Sequence, residues 1–159
     1  MIGNHLSSDI LEQQFGPTTV KVLRQDNAVR VIQTVVTKNQ QILELSLVRF
    51  EPAGIAAFPE VHATIKSGQS MGKAFRAKGI KFLREEEFAC YHAVPLAIQK
   101  MFDTERPALM VGVSVLVGPS KILYATIVET YTGTVTWPRL FGEATQQAVD
   151  ELQHVVTYL

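Results

Sequence analysis

The sequence predicts an α+β domain on an antiparallel sheet, with helices inserted between the hairpins and a C-terminal helix. Alternating apolar segments occur in pairs across short polar turns, as in β-hairpins. The links within each pair are too short for parallel crossovers. Segments with helical spacing are inserted between the strands, which places helices on an antiparallel sheet.

The elements follow in order. "SSDILEQQFG" predicts a short helix, capped by Ser7 or Ser8 and stopped by Gly16 and Pro17. "TTVKVLRQ" reads as a strand. "AVRVIQTVV", "TKNQ" and "QILELSLVRF" read as a hairpin, which Pro52 and Gly54 end. "FPEVHATIKSGQSMGKAFRAKG" predicts two short helices joined by a turn at Gly68 to Gly72, with Pro59 in the first helical turn. "IKFLREEEFACYHAV" fits a strand running into a polar edge or a short helix. "PALMVGVSVLV", "GPSK" and "ILYATIVETY" form a second hairpin, closed by Trp137 and Pro138. In the tail, Ala144, Ala148, Leu152, Val155 and Leu159 make one helical stripe, expected to pack on the sheet.

A length of 159 residues, without repeats or linkers, suggests a single domain over residues 1–159. Acidic and basic residues balance at 15 each, which argues against a nucleic-acid or anionic-membrane partner. The single cysteine, Cys90, has no disulfide partner within the chain, and no Cys/His cluster suggests a metal. The N-terminus lacks a signal-sequence pattern and no apolar run would span a bilayer, so a soluble cytoplasmic protein is expected.

Three charged residues stand in apolar rows. Strand alternation puts Arg30, Ile32, Thr34 and Val36 on one face, and Leu43, Leu45, Leu47 and Arg49 on one face. A turn centred on "TKNQ" sets Arg30 nearly opposite Arg49. Buried guanidiniums need anions, and the arginine fork suits a carboxylate. Glu129 shares a face with Leu123, Ala125, Ile127 and Tyr131, where a carboxyl group is a candidate for acid–base work. In one reading Glu129 pairs with an arginine and nothing binds; in the other a bound anion fills the charge deficit. His5, His62, His92 and His154 lack ligand spacing. "GQSMG" matches no phosphate-binding fingerprint, "REEE" reads as a solvated charge run, and Cys90 reads as core.

The order of these stretches resembles the chorismate lyase (chorismate pyruvate-lyase) family. "SSDILEQQFGPTTVKVLRQ" resembles its first flap and following strand, and "LVRFEP" its strand ending in an arginine and a proline. "PEVHATIKSGQSMG" resembles the second flap, with "SMG" where the family has Pro-Leu-Gly. "IVETYTG" resembles the strand bearing the active-site glutamate. The likeness runs from Ser7 to about Pro138. It implies a chorismate lyase-like fold, with two helical flaps over a buried ligand site on the antiparallel sheet. It also implies elimination of pyruvate from chorismate to give 4-hydroxybenzoate, without metal or organic cofactor. Glu129 and Arg49 would be catalytic. Arg30 and Arg49 would hold carboxylates, and Ser7 and Met71 would join the substrate site from the two flaps. The alternative is a non-catalytic binder of a small carboxylate or aromatic acid with the same fold, as in effector domains of transcription regulators. Such regulators usually carry a DNA-binding domain ahead of it, and none is expected within these 159 residues. A lyase acting on a related cyclic acid, and a structural protein whose sheet charges pair internally, are further readings.

Overall fold

The computed structural model describes residues 2–3 and 7–159, so His5 lies outside the described residues. Seven antiparallel strands form one sheet in the order β1-β5-β6-β7-β4-β3-β2. They are β1 (Ile2–Gly3), β2 (Thr18–Gln25), β3 (Val29–Val36), β4 (Ile42–Phe50), β5 (Phe82–His92), β6 (Ala108–Val117) and β7 (Ile122–Tyr131). The helices are α1 (Ser7–Phe15), α2 (Pro52–Ala57), α3 (Pro59–Lys66), α4 (Met71–Ala77), α5 (Leu96–Phe102) and α6 (Gln146–Val155).

The expected α+β architecture is present, with both hairpins and the two helices of the second flap. The ambiguous "REEE" segment is strand: β5 runs for 11 residues beside β6. Two helices were not expected. Pro52 does end β4, but it also opens α2 as an N-terminal proline whose missing N–H costs the helix nothing. α5 follows Pro95 and ends at Asp103, which adopts a left-handed φ of 56°. At the C-terminus, Ala148, Leu152 and Val155 of the expected stripe are buried, whereas Leu159 is exposed. Thr145 caps α6 by accepting a hydrogen bond from the Ala148 amide.

Each face of the sheet buries its own core. On the front face, Val48, Phe50, Val111, Val113, Ile127 and Tyr131 pack beneath Leu11 of α1, Val61 and Ile65 of α3, and Met71 and Phe75 of α4. On the back face, Val31, Leu45, Leu47, Phe88 and Met110 pack against Ile98 of α5 and Ala148, Leu152 and Val155 of α6.

The first hairpin corrects the expected face assignment. Val35 pairs with Ile42 but Thr34 pairs with Glu44, so the ladder skips Leu43. Without that bulge, the Val35–Ile42 register would set Arg30 against Leu47, on one face with Leu45 and Arg49. One extra residue reverses the parity of everything beyond it. Arg30 is therefore opposite Val48, Ile32 opposite Ser46, and Arg49 opposite Val29. Arg30 faces the front, and Arg49 faces the back.

Gly54 lets α2 lie directly on β7, since an added Cβ would stand 2.6 Å from the Tyr124 Cα. That neighbour is backbone and cannot swing aside. Gly54→Ala should destabilise the domain by about 2–3 kcal/mol, as overpacking of a core does, measured by urea unfolding.

Candidate functional site

The bulge gathers polar side chains onto an otherwise apolar front face. Arg30, Ile32 and Thr34 on β3 stand beside Glu44, Ser46 and Val48 on β4. Next to β4, β7 places Glu129 opposite Ser46 and Ile127 opposite Val48. Phe82 and Arg84 reach the same space from β5, Ser7 and Ser8 from the start of α1, and Ser70, Met71 and Gly72 from the start of α4. Together they line a cavity of about 70 Å³, room for several waters or a small polar group.

Arg30 is 2% exposed. Its Nη1 donates to the carbonyl of Gln69 at 3.0 Å, which ties the turn before α4 to the sheet. Its Nε and Nη2 are buried with no hydrogen-bond partner among the described residues. Burial lowers its pKa, and the nearby Tyr124 opposes that shift. Tyr124 is in turn bonded to His62 of α3, 2.5 Å from hydroxyl to Nδ1. The His62 pKa is lowered by burial and by Lys66.

Toward the other end of the cavity lies a bidentate ion pair. Arg84 Nη1 and Nη2 donate to the two oxygens of Glu129 at 2.7 and 2.6 Å. Both side chains are 3% exposed. Burial opposes the charge on Arg84, but the attraction and hydrogen bonds of Glu129 hold its pKa above the ordinary arginine value. Glu86 lies behind it, 3.8 Å from Arg84 Nη2. It accepts a hydrogen bond from the Trp137 indole at 2.9 Å.

Glu44 completes this end. Its carboxylate accepts a hydrogen bond from Thr34 at 2.7 Å and a short one from Ser46. Burial pushes its pKa up to about 7, with the charge of Glu129 adding to the shift and the two hydroxyls and Arg84 opposing it. Glu129 and Glu44 also reinforce the effect of burial on the Tyr131 hydroxyl, whose pKa lies well above the usual tyrosine range.

The fold thus brings Arg30, Glu129, Met71 and Ser7 to one cavity and excludes Arg49. The Arg49 side chain is 42% exposed on the back face, and its Nε donates to Glu151 of α6 at 2.7 Å. Arg84, Glu44 and Glu86 were not expected at the site. The charge run is not solvated: Phe82, Arg84 and Glu86 alternate inward while Glu85 and Glu87 stay outside the core. That alternation is visible in the sequence once the segment is read as a strand. Among the described residues, no group of His, Cys, Asp and Glu is placed to hold a metal ion. No helix there is long and apolar enough to cross a membrane.

No family model matches the chain, and no curated protein matches it. Solved structures do. YydK from Bacillus subtilis, a possible transcriptional regulator, aligns at 14% identity with a TM-score of 0.57, over 88% of this chain and 66% of its own. The effector domain of PhnF from Mycobacterium smegmatis aligns at 14% identity and 0.57, over 89% of this chain and 97% of that one. A ligand-binding domain from Bordetella bronchiseptica, assigned to the GntR family of transcriptional regulators, aligns at 10% and 0.53, over 80% and 92%. At these identities the likeness establishes a shared fold. It overturns the expected membership of the chorismate lyase family and the expected enzymatic activity, because the matched structures are a regulator and effector or ligand-binding domains. The expected catalytic set is also not assembled, since Arg49 and Glu129 lie on opposite faces. The expectation of no nucleic-acid partner concerns this domain alone, as YydK extends beyond the matched region.

Two predictions follow from the charges. Between an ordinary glutamate value near 4.5 and about 7, folded Glu44 keeps a proton that the unfolded chain has released. Its contribution to stability therefore falls as pH rises through that window, by roughly 3 kcal/mol in total. Glu44→Gln should remove that part of the decline when urea unfolding is compared at acid and mildly alkaline pH. Arg84→Met leaves Glu129 buried and unpaired and should cost about 3–5 kcal/mol. Arg49→Met breaks only a half-exposed pair and should cost about 1 kcal/mol or less. Denaturant midpoints of the two variants check the contrast.

Proposed function

We propose that the domain is a non-catalytic sensor that binds a small anionic ligand in the front-face cavity. One observation carries this reading: a buried guanidinium, Arg30, faces the cavity with two nitrogens, Nε and Nη2, unpartnered among the described residues. A buried donor without an acceptor is costly, and a buried cation without an anion more so. A ligand carboxylate or phosphate would offset both, and the guanidinium fork matches either group. The amino-terminal turn of α1, which lines the same cavity through Ser7 and Ser8, would favour the same sign of charge.

The neighbours support a regulatory use, since two of them are named as an effector domain and a ligand-binding domain. The tether from Arg30 to Gln69 suggests how a signal would arise. An anion that engages the guanidinium competes with or reinforces the hold on the turn before α4, so occupancy would shift the position of that flap.

Thermal melting in the presence of inorganic phosphate and of small carboxylates tests the reading. A ligand at one hundred times its Kd should stabilise the domain by about 3 kcal/mol. Arg30→Met should fold, as judged by circular dichroism, and lose that response. No response to any of these anions in the wild type, or an undiminished response in Arg30→Met, would reject the proposal.

A further inference from the structure

The cavity is electrostatically two-ended. At one end stands Arg30, whose own hydrogen bond goes to a neutral carbonyl. At the other, Arg84 is the one guanidinium among the described lining residues of that end, set against two buried carboxylates, Glu44 and Glu129. Among the described residues, Arg84 Nη1 and Nη2 both donate to Glu129, and Glu44 accepts from the hydroxyls of Thr34 and Ser46. That end carries excess negative charge whenever Glu44 is ionised. Each carboxylate oxygen of Glu44 takes one hydroxyl and retains acceptor capacity. Val48 and Ile127 line the cavity at the level of Arg30, and Ile32 lines it at the next level, beside Ser46 and Glu129.

The spacing follows from the ladder. Arg30 pairs with Val48 and Thr34 pairs with Glu44, four residues along the strands. That corresponds to about 13 Å between Cα levels, shortened by the side chains that project into the cavity. An anion alone would satisfy Arg30 and leave the acidic end without its complement.

We propose that the ligand is a short zwitterion. Its carboxylate or phosphate lies on Arg30, its ammonium on Glu44 and Glu129, and a few methylenes run from the level of Val48 and Ile127 past Ile32. This rests on the reading of Arg30 as an anion site and specifies what the rest of the cavity recognises. Complementary charge at both ends selects such a molecule over simple anions, which leave the carboxylates unmet, and over simple cations, which Arg30 repels.

Calorimetric titration with matched pairs tests it: β-alanine against propanoate, γ-aminobutyrate against butanoate, and phosphoethanolamine against ethyl phosphate. The ammonium member of at least one pair should bind about tenfold tighter or more, the effect of one hydrogen bond to a charged group. Glu44→Gln keeps the side-chain shape and should remove most of that advantage while leaving the affinity for the plain anion. The wild type offers a second measurement. For the amino carboxylates, whose own charges are constant from weakly acid to weakly alkaline pH, the advantage should grow as pH rises through 7 and Glu44 ionises. The groups that face or neighbour Glu44 are Thr34 on β3, Ser46 on β4, Glu129 and Tyr131 on β7, and Arg84 and Glu86 on β5. Of these, Glu44 is the one whose pKa is pushed to about 7.

Equal affinities within every pair, with binding that depends on Arg30, would overturn the zwitterion and leave the anion site standing. An ammonium preference unchanged in Glu44→Gln and flat with pH would also overturn it. Failure of all six compounds to bind would reject the anion site itself.

Discussion

One extra residue in β4 decides what this domain can be. The skipped position at Leu43 reverses the parity of the first hairpin. It turns Arg30, Glu44 and Ser46 toward the flaps and sends Leu45, Leu47 and Arg49 toward α5 and α6. With the opposite parity, Arg30 and Glu44 would stand among Ile98, Leu152 and Met110, which offer no polar partner. The buried cluster of the back face is accordingly apolar, and the front face is mixed. Bulges commonly re-aim side chains near functional sites, and here the re-aimed set is the polar lining of the cavity.

A mixed front face creates an electrostatic problem that the fold solves unevenly. Arg84 and Glu129 meet in a bidentate pair, and Glu86 is held by Trp137. Glu44 is held by two hydroxyls, which favour its charged form but do not neutralise it. Among the described residues, Arg30 donates to a single carbonyl. A domain selected only for stability would gain from apolar residues at these positions, since buried ion pairs seldom outperform them. The back-face cluster and the aromatic set of Phe50, His62, Phe75 and Tyr124 supply cohesion independently of the cavity. The uneven compensation is therefore better explained by ligand recognition than by packing.

Much of the fold was legible in the sequence because alternation and turn residues are local signals. The hairpins, α1, the two helices of the second flap and α6 all announce themselves through periodicity, glycine and proline. The site was legible only in part. Glu129 and Arg30 stood out as charges in apolar rows, but the face that Arg30 shares with Glu44 and Ser46 depended on a bulge that no residue in "TKNQQILEL" signals. Arg84 and Glu86 were hidden differently. A run of four charged residues reads as solvent-facing, although β5 splits it, one pair inward and one outward. α2 was obscured because Pro52 and Gly54 are both breakers; one serves as a helix start and the other as a point of close backbone contact.

The same physics explains why the resemblance to a lyase held for the fold and failed for the activity. The stretches that carried it are two flaps and two strand ends bearing charge. Those are the parts needed to enclose any small charged molecule, since flaps exclude water and buried strands fix charges in place. They report enclosure, which an enzyme and a sensor both require. What would distinguish the two is the placement of reactive groups around the enclosed molecule, and that placement hinged on Arg49. A local motif such as "LVRFEP" is the same whichever face its arginine takes, because parity is set upstream of it, between Ile42 and Glu44. Register is a property of the paired strands, so activity inferred from a strand motif is only as sound as the ladder beside it.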